Sequence, residues 1–317
     1  MEIDRLILNE KDEVTILMST YNGERYLQEQ IESILCQTYT NFKLLIRDDG
    51  SVDDTKKILQ QYDDDRIKIF QGDNYGVTLS FFELLNVAPL SDYYAFADQD
   101  DVWKEDKIEE AIKKIDTFKN VPCLYFCNQT FIWPDGKWMG ERYDASFETP
   151  GIIDSLLNND INGCTMVFNY ELLKVAQKKR FSQDAIVLRY HDAYLAEIAA
   201  IYGKIVFDNR SFMGFRRHDN NSTDGRTSQQ IRDSRTLVDY IKLLFEPHTK
   251  DISIWAKEII RTCGSELDDP TYRIIKCIAE YNNSTKKKCE LLRNKELLSY
   301  WRGKRIAFYF KVIFGWL

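Results

Sequence analysis

The sequence lacks the paired cysteines that mark a zinc site or a disulfide framework. Its seven cysteines are odd in number, scattered between Cys36 and Cys289, and none belongs to a CxxC pair. No signal peptide precedes them, which indicates a reducing cytoplasm. We therefore expect nearly all of these thiols to behave as small buried apolar groups.

A general excess of basic residues is also missing. The 317 residues carry a net charge of −7. Proteins that bind nucleic acid broadly normally show a basic surface, so that class of partner is not expected. With 44% hydrophobic residues, the chain can bury one large core or two smaller ones, and it is predicted to be globular.

No apolar run is long enough to cross a bilayer. The C-terminal "RGKRIAFYFKVIFGWL" has an apolar run of about a dozen residues, where a spanning helix needs about 20. Residues 286–317 hold nine Lys or Arg against two Glu and carry +7, so residues 1–285 carry −14. Basic and aromatic residues together suit an interfacial anchor on anionic lipid, and a helix packed on the body or an oligomer contact suits them equally. The aromatic residues concerned are Trp301, Phe308, Phe310, Phe314 and Trp316.

Residues 14–101 alternate short apolar runs with helical patterns. The runs "VTILMS", "KLLIRD", "IKIFQ" and "YYAFAD" are nearly continuous in apolar residues, as strands covered on both faces should be. Between them, "ERYLQEQIESILCQ", "DDTKKILQQY" and "TLSFFELLNV" place apolar residues three and four apart, which is typical of helices. The alternation predicts a parallel sheet with right-handed crossovers, in which ligands bind beyond the carboxyl ends of the strands.

Polar and acidic residues follow each predicted strand, in "STYNGER", "RDDGSVDDT", "QGDNYG" and "ADQDD". Asn, Asp and Gly are common in any turn, which accounts for the glycines and for a capping Ser51. Turn chemistry does not require Asp48, Asp49, Asp98 and Asp100 to converge at one edge of a sheet. A bound nucleotide with a metal ion accounts for them better.

The glycine-rich loops that bind phosphate are absent. A dinucleotide fold needs GxGxxG after its first strand, and "TYNGER" has one glycine where three are wanted. The sequence GxxxxGK[ST] does not occur either. We therefore expect the phosphates to be held through a metal ion rather than by a glycine loop.

Three acids lie within four positions of "ADQDDVW": Asp98, Asp100 and Asp101. Crowded carboxylates repel one another and are costly to desolvate, so a divalent cation among them is one explanation. A helix N-terminus is the other, because "KEDKIEEAIKKI" has a helical pattern and Asp is a preferred cap. The cap explains Asp101 well, but it explains Asp98 and Asp100 less well because they precede the helix.

Together, "STYNG" at 19–23, "DDGSVDDT" at 48–55 and "ADQDD" at 97–101 resemble the nucleotide-sugar half of family 2 inverting glycosyltransferases with the GT-A fold. The likeness covers roughly residues 12–225. It implies an α/β fold with a Rossmann-like, mostly parallel sheet flanked by helices. It also implies a nucleoside diphosphate sugar as donor and Mn²⁺ or Mg²⁺ as cofactor.

The resemblance assigns roles to individual positions. Ser19, Tyr21 and Asp49 would line the base and ribose pocket, with Asp49 accepting the N3–H of uracil or thymine. Asp98 and Asp100 would form the DxD pair on the diphosphate, with Asp100 as the direct ligand of the metal. A hard cation with oxygen ligands can neutralise the charge that develops on the departing diphosphate.

An inverting displacement also needs a base on the face opposite the leaving group. "RYHDAYLAEIAAIYG", 189–203, is predicted to be a helix whose first turn presents His191 and Asp192 to the site. Considered only as the start of a helix, the pair is explained by a capping Asp beside a solvated His. The family pattern has an acid followed by an Asp base here, so the resemblance makes Asp192 the base. His191 departs from that pattern, and we expect it to adjust acceptor fit or the charge of Asp192.

Two further segments resemble parts of the donor site. "NGCTMVFN", 162–169, is similar to the turn and strand that shape the sugar pocket, although a plain buried strand has the same pattern. "FMGFRRHDNNSTDG", 212–225, follows the predicted strand "KIVFDN" and is expected to form a functional loop or a merely solvated one. By its likeness to an aromatic-Arg-x-His-x-x-Asn segment, His218 would meet the metal or diphosphate, and Arg216 or Arg217 would pair with phosphate oxygens. The matching residues are Phe215, Arg216, His218 and Asn221.

Beyond residue 225 the pattern is helical, so we expect two regions. Residues 1–225 would form the nucleotide-sugar-binding and catalytic domain, and residues 226–317 a helical region that carries the basic aromatic tail. The segments around 97–103 and 212–225 resemble bacterial rhamnosyltransferases that use dTDP-rhamnose. The chain is therefore predicted to build a cell-surface polysaccharide in the cytoplasm, with the tail at the inner face of the plasma membrane.

The expected acceptor is a saccharide or a lipid-linked saccharide. Three alternatives remain open on the sequence. The first is a UDP-hexose transferase, glucosyl or galactosyl, of the same fold. The second is a nucleotide-sugar-binding module without catalysis, and the third is a Rossmann-type oxidoreductase, which would bind NAD without a metal.

Overall fold

The computed structural model describes residues 12–158, 161–179, 181, 189–218, 252–300 and 305–315. Within them, nine strands form one mixed sheet with helices on both faces. The strands are β1 (Val14–Thr20), β2 (Phe42–Asp48), β3 (Ile67–Gln71), β4 (Tyr93–Ala97), β5 (Val102–Trp103), β6 (Cys123–Ile132), β7 (Trp138–Glu141), β8 (Met166–Asn169) and β9 (Lys204–Arg216).

Twelve α-helices lie in these described ranges. In the first part of the chain they are α1 (Leu27–Leu35), α2 (Thr55–Leu59), α3 (Val77–Val87), α4 (Lys107–Ile115), α5 (Ile152–Asn158), α6 (Tyr170–Lys178) and α7 (His191–Tyr202). After residue 251 they are α8 (Ile252–Cys263), α9 (Asp269–Glu280), α10 (Thr285–Arg293), α11 (Lys295–Tyr300) and α12 (Arg305–Phe314).

The first four strands form a parallel half-sheet in the order β3-β2-β1-β4, as the sequence predicts. The sheet continues as β8-β6-β9-β5, with antiparallel pairs at β4–β8, β8–β6 and β9–β5 and a parallel pair at β6–β9. β7 pairs antiparallel with β6 at the rim. Because β1, β2 and β4 run the same way, their carboxyl ends meet at one edge of the sheet.

Alternate residues of β1 enter two different cores, which covers the sheet on both faces. Leu17 belongs to a core with Phe81 of α3 and helices of the C-terminal region. Ile16 and Met18 belong to a second core with Ile31 of α1 and residues of α4. Burying each side chain of this size contributes about 1.5–3 kcal/mol relative to leaving it in water, so the two cores fix the strand register firmly.

β3 and β9 differ from the predictions. β3 is an edge strand, so its residues are exposed or half-buried rather than covered on both faces. β9 runs through Arg216, so the first part of the predicted loop 212–225 is strand. Phe212, Met213 and Phe215 are buried there because β9 pairs with both β5 and β6. β6, to which sequence reasoning gave no attention, makes the longest pairing with β9.

The predicted helix after Trp103 is present, but Asp101 is not its cap. α4 begins at Lys107 and is preceded by Asp106, while β5 occupies Val102–Trp103 between Asp101 and the helix. The Asp101 carboxylate instead accepts a hydrogen bond from the backbone N–H of Arg216, at 3.1 Å. The cap explanation for Asp101 is therefore wrong, because the chain pairs with β9 before it turns into the helix.

The helices after residue 251 pack on the same core as α3, α6 and α7. The Trp255 ring of α8 stacks on Phe181 at 4.8 Å between centroids, and its Nε1 donates to Glu197 Oε2 of α7 at 2.6 Å. Ranges 252–300 and 305–315 contain no strand, as predicted. The proposed boundary at 225/226 falls outside the described residues and stays a prediction.

The tail helix α12 has one face packed on the body. Phe308 and Val312 are buried in the core, whereas Tyr309, Ile313 and Phe314 are 37%, 56% and 51% exposed. The interpretation of a helix packed on the body is therefore correct for one face. Trp301 and Trp316 lie outside the described residues. No helix in the described ranges has both the length and the apolarity that a membrane span requires.

The seven cysteines are all unpaired, but the expectation that nearly all are buried is only partly met. Cys123, Cys127, Cys164 and Cys263 are buried, and Cys277 is half-buried. The other two cysteines, Cys36 and Cys289, are exposed.

Candidate active site

The carboxyl ends of β1, β2 and β4 are joined by direct hydrogen bonds. The N–H of Asp49, just after β2, donates to the carbonyl of Thr20 at the end of β1, at 2.8 Å. Gln99, just after β4, accepts from the Thr20 hydroxyl at 2.6 Å and from the Tyr21 N–H at 2.8 Å, and it donates to the Tyr21 carbonyl at 3.1 Å. The three predicted motifs therefore form one surface.

Gln99 is a structural residue that sequence reasoning missed. Its amide fills the space above Gly23, where a Cβ atom would lie 2.5 Å from Gln99 Oε1. The available signal was its chemistry, because Gln99 is the one uncharged polar residue between the acids of "ADQDD". An amide can donate and accept at once, which a carboxylate in that position could not do.

Asp49 lies buried in a network that fixes the predicted base pocket. Its carboxylate pairs with the guanidinium of Arg47 and accepts the N–H groups of Tyr75 and Gly76, each at 2.9 Å. Arg47 also donates to Ser80 Oγ at 3.1 Å. Asp49 is thus held rigidly at the carboxyl end of β2, and its contact with a nucleobase stays a prediction.

The rest of the predicted base and ribose pocket surrounds this network. Ser19 Oγ lies 2.6 Å from Ser80 Oγ, which ties β1 to α3. The Arg47 guanidinium lies 4.9 Å from the centroid of the Tyr75 ring, which is 52% exposed. Tyr21 is 44% exposed at the same surface. Arg47, whose position in the apolar run "KLLIRD" gave no signal, is the cation that sequence reasoning missed here.

The acids after β4 are in the opposite situation, because little positive charge reaches them. Ligand atoms of Asp98, Asp101 and Cys164 lie within 4.8 Å of one another. Burial, followed by the charges of Asp100 and Asp192, raises the pKa of Asp98 to about 7. Burial and the charges of Asp100 and Asp98 raise the pKa of Asp101 well above its usual range.

One buried cation lies beside these acids, and sequence reasoning did not single it out. Lys107 Nζ donates to the Cys164 carbonyl at 2.6 Å and lies 3.3 Å from the centroid of the Trp103 ring. Burial lowers the pKa of Lys107 to about 8, although the neighbouring acidic groups oppose that change. One ammonium cannot offset three carboxylates, so the group after β4 stays short of positive charge.

The donor atoms fit a hard divalent cation. Carboxylate oxygens are the ligands that Mg²⁺ and Mn²⁺ prefer, and one oxygen of buried Asp101 accepts no hydrogen bond from an N–H or O–H group of the described residues. Cys164 is not a suitable ligand for such a cation, because burial raises the pKa of its thiol and keeps it protonated. A cation would relieve the mutual repulsion that the raised pKa values report.

His218 and Asp100 are brought together, as the metal prediction requires. His218 Nε2 lies 2.8 Å from Asp100 Oδ2, and the imidazole stacks on the Tyr26 ring at 5.2 Å between centroids. Both side chains are largely buried. Asn221 lies outside the described residues.

Arg216 and Arg217 occupy different surroundings at the end of β9. The Arg216 guanidinium is 1% exposed and donates to Glu29 Oε2 at 2.6 Å, to the Asp100 carbonyl at 3.0 Å and to the Pro134 carbonyl at 3.0 Å. Arg217 is half-buried, and its N–H donates to the Ile132 carbonyl at 2.9 Å. Arg216 therefore anchors the loop that holds Asp100, while phosphate binding by either arginine stays a prediction.

Asp192 faces the same group of acids from the start of α7. Its Oδ2 accepts the N–H of Gly163 at 3.1 Å, and its Oδ1 accepts the N–H of Ala193 at 2.6 Å. Its charge contributes to the raised pKa of Asp98, so the two carboxylates are electrostatic neighbours. His191 was expected to face the site with Asp192, but it is 5% exposed and packs between Phe81 and Phe96.

Comparison with known sequences gives consistent results. The model of Glycosyl transferase family 2 matches residues 15–221. RfbG, a dTDP-rhamnosyl transferase of Shigella flexneri, is 30% identical over 238 residues, which cover 69% of this chain and 77% of RfbG. TuaG, a putative teichuronic acid biosynthesis glycosyltransferase of Bacillus subtilis, is 32% identical over 165 residues, which cover 50% of this chain and 62% of TuaG.

Solved structures resemble the whole chain at low identity. Residues 1–349 of TarS from S. aureus match with a TM-score of 0.58 at 16% identity, over 95% of this chain and 90% of that one. The mannosyltransferase PcManGT from Pyrobaculum calidifontis, solved with GDP-Man and Mn²⁺, matches with a TM-score of 0.52 at 15% identity, over 96% of this chain and 86% of that one. This likeness concerns the fold, and it confirms the predicted α/β architecture of the GT-A type.

Proposed function

Because this chain belongs to glycosyl transferase family 2, we propose that it is an inverting glycosyltransferase that uses dTDP-rhamnose to extend a bacterial cell-surface polysaccharide. The observation that carries the proposal is that the Gly163–Cys164 backbone joins Asp192 to the acids that follow β4. Gly163 N–H donates to Asp192 Oδ2, and the Cys164 sulfur lies within 4.8 Å of ligand atoms of Asp98 and Asp101. The similarity to RfbG, whose name states a dTDP-rhamnosyl transferase, supports the choice of donor. The similarity to TuaG supports a polysaccharide product.

In this proposal the residues at the sheet edge bind and orient the donor. Ser19, Tyr21 and Asp49 surround the base and ribose, held by the Arg47 network. Asp98, Asp100 and His218 would hold Mn²⁺ or Mg²⁺, and the bound ion would supply positive charge to the departing diphosphate. Arg217 follows β9 next to this position, where it would pair with phosphate oxygens, whereas the Arg216 guanidinium is occupied by Glu29 and by the carbonyls of Asp100 and Pro134.

Asp192 is the base on the acceptor side. The acceptor hydroxyl forms its new bond to the anomeric carbon as the bond from that carbon to the diphosphate oxygen breaks, and Asp192 takes the hydroxyl proton. Hydrogen bonds from Gly163 and Ala193 hold the two oxygens of Asp192, so its orientation is fixed before the acceptor binds. Attack from the face opposite the diphosphate inverts the anomeric configuration.

A donor panel tests this proposal most directly. The protein would be incubated with Mn²⁺, a saccharide acceptor and each of dTDP-rhamnose, UDP-glucose, UDP-galactose and UDP-GlcNAc, and the released nucleoside diphosphate would be measured. We expect dTDP release from dTDP-rhamnose. Release of UDP instead would establish the UDP-hexose alternative, and metal-dependent binding without release from any donor would indicate a module without catalysis.

We also propose that helix α12 contacts the membrane surface where the acceptor would lie. Tyr309, Ile313 and Phe314 are exposed on α12, and Lys288 lies beside them with its Nζ donating to the Ile313 carbonyl at 2.8 Å. Apolar side chains beside basic ones suit the boundary of an anionic bilayer, where a lipid-linked saccharide acceptor would lie. Because α12 packs on the body through its other face, these side chains remain exposed to solvent.

Vesicle sedimentation tests the membrane contact. Ile313→Ser with Phe314→Ser should release the protein from anionic vesicles, whereas Leu90→Ser, at a 65% exposed position between α3 and β4, should not. Equal sedimentation of both variants with anionic vesicles would exclude α12 as the contact.

A further inference from the structure

His191 is buried between aromatic side chains, which offer its ring nitrogens no hydrogen bond. The imidazole stacks on Phe81 at 3.9 Å between centroids and meets the edge of Phe96 at 4.8 Å. Both ring nitrogens are buried, and neither has a hydrogen-bond partner among the described residues. Burial also lowers the pKa of His191 to about 4, so the ring is neutral at physiological pH.

Fold stability alone does not account for a histidine at this position. A buried polar atom without a partner destabilises the folded state, and a leucine would fill the same aromatic pocket without that penalty. Departures of this kind from local stability concentrate at functional sites. The neighbours of the ring indicate which function this one serves.

Gly163 is the neighbour that the ring constrains. A Cβ atom on Gly163 would lie 2.8 Å from His191 Nε2 and 3.4 Å from Asp192 Cβ. The restriction is one of space, because the ring occupies the volume that any side chain at 163 would need. The short 3-10 turn Gly163–Thr165 can therefore approach α7 closely only as long as residue 163 is glycine.

The same glycine holds the proposed base. Gly163 N–H donates to Asp192 Oδ2, so the contact of the turn with His191 and the orientation of Asp192 depend on one residue. The next residue, Cys164, receives the Lys107 ammonium on its carbonyl and places its sulfur beside Asp98 and Asp101. The turn thus spans the gap between the proposed base and the proposed metal ligands.

We propose that His191 is a positioning residue for Asp192. Its ring, fixed by Phe81 and Phe96, is the surface on which Gly163 rests, and this contact sets the distance between the Asp192 carboxylate and the acids after β4. His191 acts through Gly163 and does not itself touch the acceptor. The inference rests on the proposed function, since it presupposes that Asp192 is the base.

The first test is His191→Leu, which keeps an apolar side chain in the pocket. We expect a Tm equal to or above that of the wild type, because the unpartnered nitrogens are gone. We also expect kcat to fall about tenfold with the donor KM nearly unchanged, since the Gly163 turn loses its flat support. Wild-type kcat in a stable His191→Leu protein would overturn the proposal.

The second test is a double-mutant cycle between positions 163 and 191. Gly163→Ala should lower kcat about tenfold or more, because the added methyl group would displace the turn from α7 and weaken the hydrogen bond that orients Asp192. In Gly163→Ala with His191→Ala, the new methyl group occupies space that the ring has left. We expect that double variant to transfer about tenfold faster than the product of the single effects.

A matched control and the wild type separate the two levels of inference. Gly264→Ala lies in a turn between α8 and α9, where its Cβ would make an ordinary 3.4 Å contact with Tyr272, and its kinetics should equal the wild type. If the wild type transfers sugar but the effects at 163 and 191 simply multiply, positioning by His191 is refuted while the function stands. If the wild type releases no diphosphate from any donor, the proposed function fails, and the role of His191 fails with it.

Discussion

Two buried aspartates at the same edge of the sheet show opposite environments. Asp49 follows β2 and Asp101 lies beyond the end of β4, and both side chains are almost fully buried. Asp49 is paired with Arg47 and accepts two backbone N–H groups. Asp101 accepts one backbone N–H on one oxygen and lies among other acids that raise its pKa. Acidic pairs that look alike in a sequence can therefore differ in whether the fold already provides a positive charge for them.

The difference supports the proposal that the acids after β4 are the ones that bind a cation. The folded chain itself supplies Asp49 with a cation, so Asp49 is free to serve as a rigid hydrogen-bonding group in the base pocket. Among the described residues, Arg216 and His218 contact Asp100, while Lys107 is the ammonium beside Asp98 and Asp101, whose raised pKa values indicate that it does not neutralise them both. The largest effects of substitution should follow from this contrast.

Asp100→Ala should have the largest effect. Removal of a metal ligand should abolish the rise in Tm that Mn²⁺ and dTDP give together, and it should lower the transfer rate by about a thousandfold or more. Thermal shift with and without Mn²⁺ measures the first effect, and diphosphate release measures the second. Asp65→Ala, at an exposed position near β3, is the control and should keep both. An unchanged Mn²⁺-dependent shift in Asp100→Ala would remove Asp100 from the metal site.

Arg47→Met should make the surroundings of Asp49, after β2, resemble those of the acids after β4. It leaves Asp49 buried without its cation, which should lower the free energy of unfolding by about 3–5 kcal/mol. Denaturant titration measures this change. The half-buried pair of Arg66 and Asp64, with atoms 2.8 Å apart, offers the control, because solvent still reaches it and Arg66→Met should cost at most about 1 kcal/mol. Equal losses in the two variants would show that burial does not separate these ion pairs.

Asp192→Asn should show whether the Asp192 carboxylate binds the metal or takes the proton of the acceptor hydroxyl. We expect turnover to fall at least about a hundredfold, as is typical when a general base is lost, while the Mn²⁺-dependent affinity for dTDP remains. Asp269→Asn, at the exposed start of α9, should leave turnover unchanged. Loss of nucleotide affinity in Asp192→Asn would instead assign Asp192 to the metal site.

Of the expected changes in stability, that of Asp98→Asn without metal should be the smallest, and it should appear in the pH dependence of stability. The pKa of Asp98 is about 7 in the fold and about 3.9 in an unfolded chain, so the metal-free folded state binds the extra proton between these values. The contribution of Asp98 to stability should therefore fall as pH rises from about 4 to about 7.

The Tm difference between Asp98→Asn and the wild type, both without metal, isolates that contribution. It should favour the variant by a few degrees at neutral pH and approach a constant below pH 4. Mn²⁺ should stabilise the wild type more than the variant. A Tm difference that does not change with pH would show that Asp98 is ionised throughout.

Sequence reasoning predicted well those features that depend on neighbours in the chain. The four apolar runs between 14 and 97 predicted β1 to β4 and their parallel order, because strand burial and crossover geometry leave few alternatives. The motifs after those strands lie together at one edge of the sheet, as predicted, while ligand binding at that edge stays a prediction. The predicted strand "KIVFDN" covers only the first part of β9. The later buried residues, Phe212, Met213 and Phe215, lie among polar residues that favour a loop.

Apart from the pairing of Arg47 with Asp49, the parts of the site that the sequence could not predict depend on partners far away in the chain. Arg47 meets Ser80, Lys107 meets Cys164 and Arg216 meets Glu29. No local pattern records these contacts. His191 is the clearest case, since its place at the start of a helix predicts a side chain facing the site, whereas Phe81 and Phe96 enclose it.

The amino-acid sequence by itself determined the parallel half-sheet and the edge at which its polar residues gather, because strand periodicity and the order of the motifs are local properties. Only the tertiary structure decided which carboxylates are neutralised by the fold, which remain short of positive charge, and which glycine holds Asp192. Charge and desolvation depend on the distances between groups that lie dozens of residues apart, and those distances exist only once the chain has folded.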